Sequence, residues 1–227
     1  MINSKYNKVL TVILVIVVIV IFALLGFWGY QTFTKYFKDK DIDATLNEFN
    51  ETILNNNTSK RNEFTGSDPI NFTAVDNGVS NGNSSGNSTS DVVTYKGFTV
   101  VGRMEIPKID LDLPVLERAT KNSLEQSIGV LMGPGLNQVG NTIIVGHNYR
   151  NGTFFSRNSE LENGDEIYIT DTAGTRIEYT IYNIYTTSSE DSDYITRDTA
   201  GKREISLSTC TEDSRYRLVI WAREVEQ

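Results

Sequence analysis

The chain has 227 residues, 39% hydrophobic and 22% charged, with a formal net charge of −8. That length suits one globular domain with something added, since a domain usually takes about 100–200 residues. An acidic chain with no basic block carries no footprint for nucleic-acid binding. One Cys and one His exclude an internal disulfide and a structural zinc site, which takes about four such ligands. The lone thiol is then either a small buried hydrophobe or a reactive group.

After a short N-terminal segment, 1–8, the run from Val9 to Tyr30 is uncharged and almost wholly apolar. At about 1.5 Å per residue a helix of this run crosses a hydrocarbon core of about 30 Å. No small-x-small cleavage site follows around Leu24-Leu25-Gly26-Phe27-Trp28, and Trp28 and Tyr30 stand where interfacial aromatics belong. The reading is an uncleaved signal anchor over 9–30. Lysines flank it on both sides (Lys5 and Lys8; Lys35, Lys38 and Lys40), so charge alone does not orient it.

Residues 31–91 read as stalk and linker. Phe33, Tyr36, Phe37, Ile42 and Leu46 lie near helical spacing, so 31–55 is either a polar helix or a loosely ordered stalk. From Thr65 to Asp91 the chain is rich in Asn, Gly and Ser, and such tracts bury too little apolar surface to offset the entropy of ordering. A flexible tether is expected there.

From 92 to 227 the texture changes to short strands with turn punctuation. Val100–Ile106 stops at Pro107, and Val115-Leu116 follows Pro114. Ser123 to Ser127 could begin a small helix with Ser123 as N-cap and Gln126 in the capping-box position. Asn141–Val145 is an apolar, β-branched run. Asp165–Thr170 and Arg176–Tyr185 alternate around a turn at Ala173-Gly174, and Ile205–Thr209 and Arg217–Trp221 complete the series. Many short strands with few helices predict a mainly β fold, a closed or nearly closed barrel.

Cys210 ends a predicted strand, and His147 lies just past another. A thiolate is the nucleophile of cysteine chemistry, and a nearby imidazole favours it and can protonate a leaving amine. Arg217 opens the strand after the turn that follows Cys210, so a hairpin returns it to the neighbourhood of Cys210. There a guanidinium could hydrogen-bond an oxyanion. Arg215, two residues earlier, shares its strand face if the strand extends that far. Thr209 is either part of a substrate pocket or an ordinary strand residue. Asn148 could orient His147, contact substrate or simply make a turn. Asp110 and Asp112 fall far short of the six to eight oxygens of a calcium site, and no Gly-rich phosphate loop is present. No metal or cofactor is expected.

Three motifs carry a family resemblance. Ser206-Leu207-Ser208-Thr209-Cys210 resembles the Thr-Leu-x-Thr-Cys signature of sortases, departing only at Ser206. Arg217-Leu218-Val219-Ile220 is similar to the family's arginine-led final strand. Thr142-Ile143-Ile144-Val145-Gly146-His147-Asn148 resembles its histidine strand. The likeness runs from about Thr99 to Arg223, including Gly102-Arg103-Met104-Glu105-Ile106-Pro107. It implies an eight-stranded sortase-type barrel on the outer face of a Gram-positive membrane, class B-like, with class D-like open. It also implies cleavage of a sorting signal on surface proteins, with Cys210 as nucleophile, His147 as acid/base and Arg217 as oxyanion clamp. The thioacyl-enzyme would be resolved by a peptidoglycan precursor amine. Two other readings stand beside it: a membrane-anchored cysteine peptidase, and a non-enzymatic extracellular β-domain on a stalk.

Overall fold

The computed structural model describes residues 4–63, 92–211 and 214–225. The chain divides into two compact units, one up to Ala44 and the other from Thr45 onward. Helix α1 runs over Ser4–Glu63, so the part of the expected stalk up to Glu63 is helical. The Asn/Gly/Ser tether expected up to Asp91 lies outside the described residues. In the first unit the side chains from Val12 to Phe27 are exposed. Among the described residues no helix is long and apolar enough to cross a membrane. In the second unit Leu46 and Phe49 of α1 are buried, at the three-residue spacing that puts side chains on one helix face.

The rest of the second unit is a β-barrel. Its strands are β1 (Thr94–Tyr95), β2 (Phe98–Ile106), β3 (Leu111–Leu116), β4 (Ile128–Met132), β5 (Gly140–Val145), β6 (Glu166–Asp171), β7 (Arg176–Ser188), β8 (Arg203–Cys210) and β9 (Tyr216–Glu224). They hydrogen-bond in the order β1-β2-β3-β4-β5-β8-β9-β7-β6, and β6 pairs back onto β2. That last pairing closes eight strands, β2 to β9, as a mainly β reading predicts, and leaves β1 as a short hairpin arm. The interior is filled by Met104, Ile106, Val115, Ile144, Ile169, Leu207 and Ile220, all fully buried.

The short helices differ from expectation at one point. Helix α2 covers Lys121–Leu124, and its N-cap is Thr120 rather than Ser123. The Thr120 hydroxyl accepts from Ser123 N–H at 3.1 Å while Ser123 Oγ accepts from Thr120 N–H at 2.8 Å. Ser123 therefore fills the third position of the capping box, a place usually held by Glu or Gln. Helix α3 is one turn, Asp193–Thr196.

Strand alternation sets two faces. On β8, Ile205, Leu207 and Thr209 point one way, and Glu204, Ser206, Ser208 and Cys210 the other. The first set joins the buried interior. The second lies under the β7–β8 connection, whose Tyr194 packs with Ile143 and Val219. Two polar fixtures hold that connection down. Asn141 Nδ2 donates to Tyr194 O at 2.8 Å, and Arg197 hydrogen-bonds Glu204, a carboxylate with no exposed surface. Tyr182 Oη and Arg223 Nε also donate to Glu204, at 2.7 and 2.6 Å, and the Arg197 guanidinium stacks 4.6 Å from the Trp221 ring. Burial works to raise the Glu204 carboxyl, but the donors from Arg197, Tyr182 and Arg223 outweigh it and hold it below the ordinary carboxylate range.

Two outcomes follow for stability. At Gly102, on the seam between β2 and β6, an added Cβ would lie 2.6 Å from Thr170 O, and Gly102→Ala should cost about 1–3 kcal/mol in urea unfolding. Because the Glu204 carboxyl is depressed on folding, its contribution is present above the unfolded value of about 4.3 and is lost as pH falls through the folded value. Glu204→Ala should destabilise by about 3 kcal/mol at neutral pH, by leaving the half-buried Arg197 without its carboxylate. It should also flatten the acid limb of the stability curve; an unchanged limb would show that the carboxylate is not charged in the fold.

Candidate functional site

The pairing of β5 with β8 is parallel, with Val145 opposite Ser208. Two residues further along each chain stand His147 and Cys210, so both leave the sheet at the same rim. The pairing of β8 with β9 is antiparallel and sets Cys210 directly opposite Arg217. Arg217 Nη1 donates to Cys210 Sγ. The three residues singled out by the sequence are thus gathered by strand register. Cys210 is partly exposed, open to a reactant yet held by the sheet.

Among the described residues the sulfur's hydrogen-bond partner is Arg217, and no such bond joins it to His147. The imidazole is positioned from its own loop. Its ring centroid lies 5.0 Å from that of Tyr149, which lies 5.8 Å from that of Phe154. His147 O accepts from Phe155 N–H at 3.2 Å, and Asn148 forms a bridge with Phe154. Gly146 lets this loop approach so closely, since a Cβ there would lie 2.9 Å from the Phe155 ring and 2.7 Å from Ile128.

Asn148 Nδ2 donates to Cys210 O at 3.1 Å, and its Oδ1 accepts from Arg150 N–H at 3.1 Å. The side chain expected either to orient His147, to contact substrate or to make a turn thus laces the histidine loop to the end of the cysteine strand. Thr209 is buried, and its hydroxyl donates to Gly146 O at 2.7 Å. That bond also ties β8 to the end of β5, from the interior face. Arg215 lies in the turn before β9, which begins at Tyr216, so the strand does not extend to it. Asp112 and Asp110 are held in ion pairs, with Arg103 at 2.6 Å and Arg157 at 3.3 Å.

Two surfaces meet at Cys210. On its own face, Val145, Tyr185, Ile195 and Trp221 are partly buried around Ile143, Tyr194 and Val219, forming an apolar shelf that leads to the sulfur. At the barrel mouth a cleft of about 470 Å³ reaches Cys210 and Thr211, with Thr186 and Leu218 on one wall, Asn148 and Arg150 from the histidine loop, and Phe155 and Arg157 from the 3-10 helix Phe155–Glu160 that follows it. The tie through Asn148, the Tyr149 ring and this charged cleft were not singled out in the sequence. Their signal was position alone, within ten residues after the only His. Chemically, the rim offers a soft nucleophile, a cationic donor one hydrogen bond away, and an acid/base on the neighbouring strand end.

Comparison with known proteins gives the family. Residues 104–225, more than half of the chain, match the sortase domain family. The chain is 31% identical to Sortase A of Bacillus anthracis over 53% of its length and 58% of the relative's. It is 31% identical to Sortase D of Bacillus subtilis over 48% of its length and 53% of the relative's. It therefore spans a little over half the length of these curated relatives. Among solved structures, Sortase A from Corynebacterium diphtheriae superposes with a TM-score of 0.52 at 29% identity, covering 57% of this chain and 62% of that one. The chain belongs to the sortase family.

Proposed function

We propose that the chain is a membrane-anchored cysteine transpeptidase. It would cleave a C-terminal sorting signal of the Leu-Pro-x-Thr-Gly or Asn-Pro-x-Thr kind from surface proteins and transfer them to a peptidoglycan amine. The observation that carries this reading is the contact of Arg217 with Cys210 Sγ at the rim where the His147 strand also ends. The donor peptide lies along the apolar shelf, with its scissile carbonyl at Cys210. The thiolate attacks the carbonyl carbon, and the oxyanion accepts a hydrogen bond from Arg217. His147 protonates the departing nitrogen as the C–N bond breaks, leaving a thioacyl-enzyme. An incoming amine reverses the sequence, giving its proton to His147 and expelling the thiolate. Asn148 and Thr209 act by fixing the separation of the two strand ends rather than by touching the peptide.

The run from Val9 to Tyr30 is the anchor in this reading, with the N-terminus inside and the barrel outside. Its support is a helix whose side chains from Val12 to Phe27 are apolar or small and exposed on every face, a pattern suited to lipid. Of the class B-like and class D-like alternatives, the second has a named relative.

Intact-protein mass spectrometry of the whole chain in detergent, incubated with a panel of sorting-signal peptides, tests the reading. An adduct carrying the N-terminal part of the peptide, absent in Cys210→Ala and released as an amide by an added amine, is the expected result. Release only as the free acid would favour a peptidase, and an unreactive Cys210 in a folded chain would favour a non-enzymatic β-domain. In the same assay Arg217→Ala should lower the acylation rate by about 10²–10³-fold and His147→Ala by about 10²–10⁴-fold.

A further inference from the structure

The apolar shelf and the mouth cleft lie on opposite faces of β8 and β9. Cys210, Ser208 and Ser206 face the shelf across from Arg217, Val219 and Trp221, whereas Thr209 pairs with Leu218 on the interior face. Leu218 in turn faces Thr186 of β7, and these two wall the cleft. A transfer reaction needs two approaches to one sulfur: one for the acyl group, one for the nitrogen that leaves and the nitrogen that attacks. By microscopic reversibility the last two use the same side. The loop that carries His147, which handles their protons, runs on through Asn148 and Arg150 to line the mouth cleft. Its volume of about 470 Å³ lies in the ordinary range for small-ligand sites, about 300–1,000 Å³.

Charge in the cleft is distributed unevenly. Arg157 is fully engaged: Nε and Nη2 donate to Glu160 at 2.9 and 2.8 Å, and Nη1 donates to Ile109 O at 2.8 Å. Arg150 is exposed, and among the described residues no carboxylate pairs with its guanidinium. Its backbone is nevertheless set, with φ at 57° and its N–H donating to Asn148 Oδ1. The same Asn148 holds Cys210 O, so one side chain links the positions of the sulfur and of the Arg150 backbone.

We infer that the mouth cleft is the subsite of the attacking amine, and that Arg150 selects amines bearing a carboxylate near the nucleophilic nitrogen. This rests on the thioacyl-transfer reading above. In the step itself the neutral amine nitrogen forms the new C–N bond at the thioester carbon and the C–S bond breaks. The thiolate of Cys210 leaves, and the proton lost by nitrogen passes to His147. The carboxylate takes no part in the bond changes; it docks on a guanidinium whose planar donor fork suits it.

The test uses the whole chain in detergent and matched acceptors, glycine against glycinamide and alanine against alaninamide, added to the thioacyl-enzyme. The readout is the ratio of kcat/KM for the carboxylate acceptor to that for its amide, which is insensitive to the fraction of folded enzyme. The ratio should exceed unity in the native chain, fall about tenfold in Arg150→Gln, equivalent to about 1.4 kcal/mol, and be largely kept in Arg150→Lys. A ratio near unity in the native chain, or one unchanged by Arg150→Gln, overturns the inference. Calorimetric binding of the same four acceptors to the Cys210→Ala chain needs no turnover. Carboxylate-selective binding lost with Arg150→Gln would uphold the cleft assignment even where no thioacyl-enzyme forms, the result that would sink the transfer reading itself. Binding without selectivity would overturn the assignment.

Discussion

The parallel pairing of β5 with β8 is the constraint from which the site follows. Parallel neighbours run in the same direction, so their C-terminal ends share one rim, and here those ends lead to His147 and Cys210. Parallel strands cannot be joined by a tight turn, and the long crossover between Val145 and Arg203 carries β6, β7 and α3. The antiparallel return of β9 then brings Arg217 back opposite Cys210. Register matters as much as direction. A slip of one residue in β8 would send Cys210 to the interior face and Thr209 to the rim face, and the sulfur would lose both its cation and its access. The Thr209–Gly146 and Asn148–Cys210 bonds pin that register at the point where a slip would do harm.

The same alternation explains how one barrel wall serves packing and chemistry together. Interior positions of β8 carry Ile205 and Leu207 and are sealed. Outward positions carry Glu204, Ser206, Ser208 and Cys210, polar groups that need partners once the β7–β8 connection covers them. Each is supplied: Glu204 by Arg197, Tyr182 and Arg223, Ser206 by Asn141 at 2.9 Å, Ser208 by the Tyr194 hydroxyl at 3.4 Å, and Cys210 by Arg217. The covering connection is held by the polar groups beneath it, while its apolar side chains build the shelf.

Much of this was legible in the residues because strands announce themselves by alternation and β-branched content. Asn141–Val145 and Ile205–Thr209 were readable as strands, and a lone Cys and a lone His at two strand ends invited their pairing. Strand β4 was not, since Gly129 interrupts a short run that ends in exposed Leu131 and Met132, a weak signal at either period. The cap of α2 fell one turn early because Thr120 and Ser123 are chemically alike as caps, and only the geometry assigns which accepts from which backbone N–H. The alternatives for Asn148 and Thr209 could not be separated from sequence. Both are short polar side chains, one next to His147 and one next to Cys210, and their partners, Cys210 O and Gly146 O, are backbone atoms that no sequence pattern names.

Glu204 shows where parity would have gone further than motif. It is the one carboxylate in a strand that, after Arg203, is apolar or hydroxylic up to Cys210, and its even spacing from Cys210 puts it on the same face. A carboxylate placed there is too costly to bury without cations, so its presence implies guanidinium partners on elements that cross that face. Arg223, opposite it on β9, and Arg197, seven residues before it, are those partners. One strand thus sets two charged contacts six residues apart, Arg197 with Glu204 and Arg217 with Cys210. The first holds down the connection that builds the shelf, and the second stands at the sulfur to which the shelf leads. The stability of the wall and the reactivity of its rim are therefore set by one alternation of side chains, and the register bonds that protect the one protect the other.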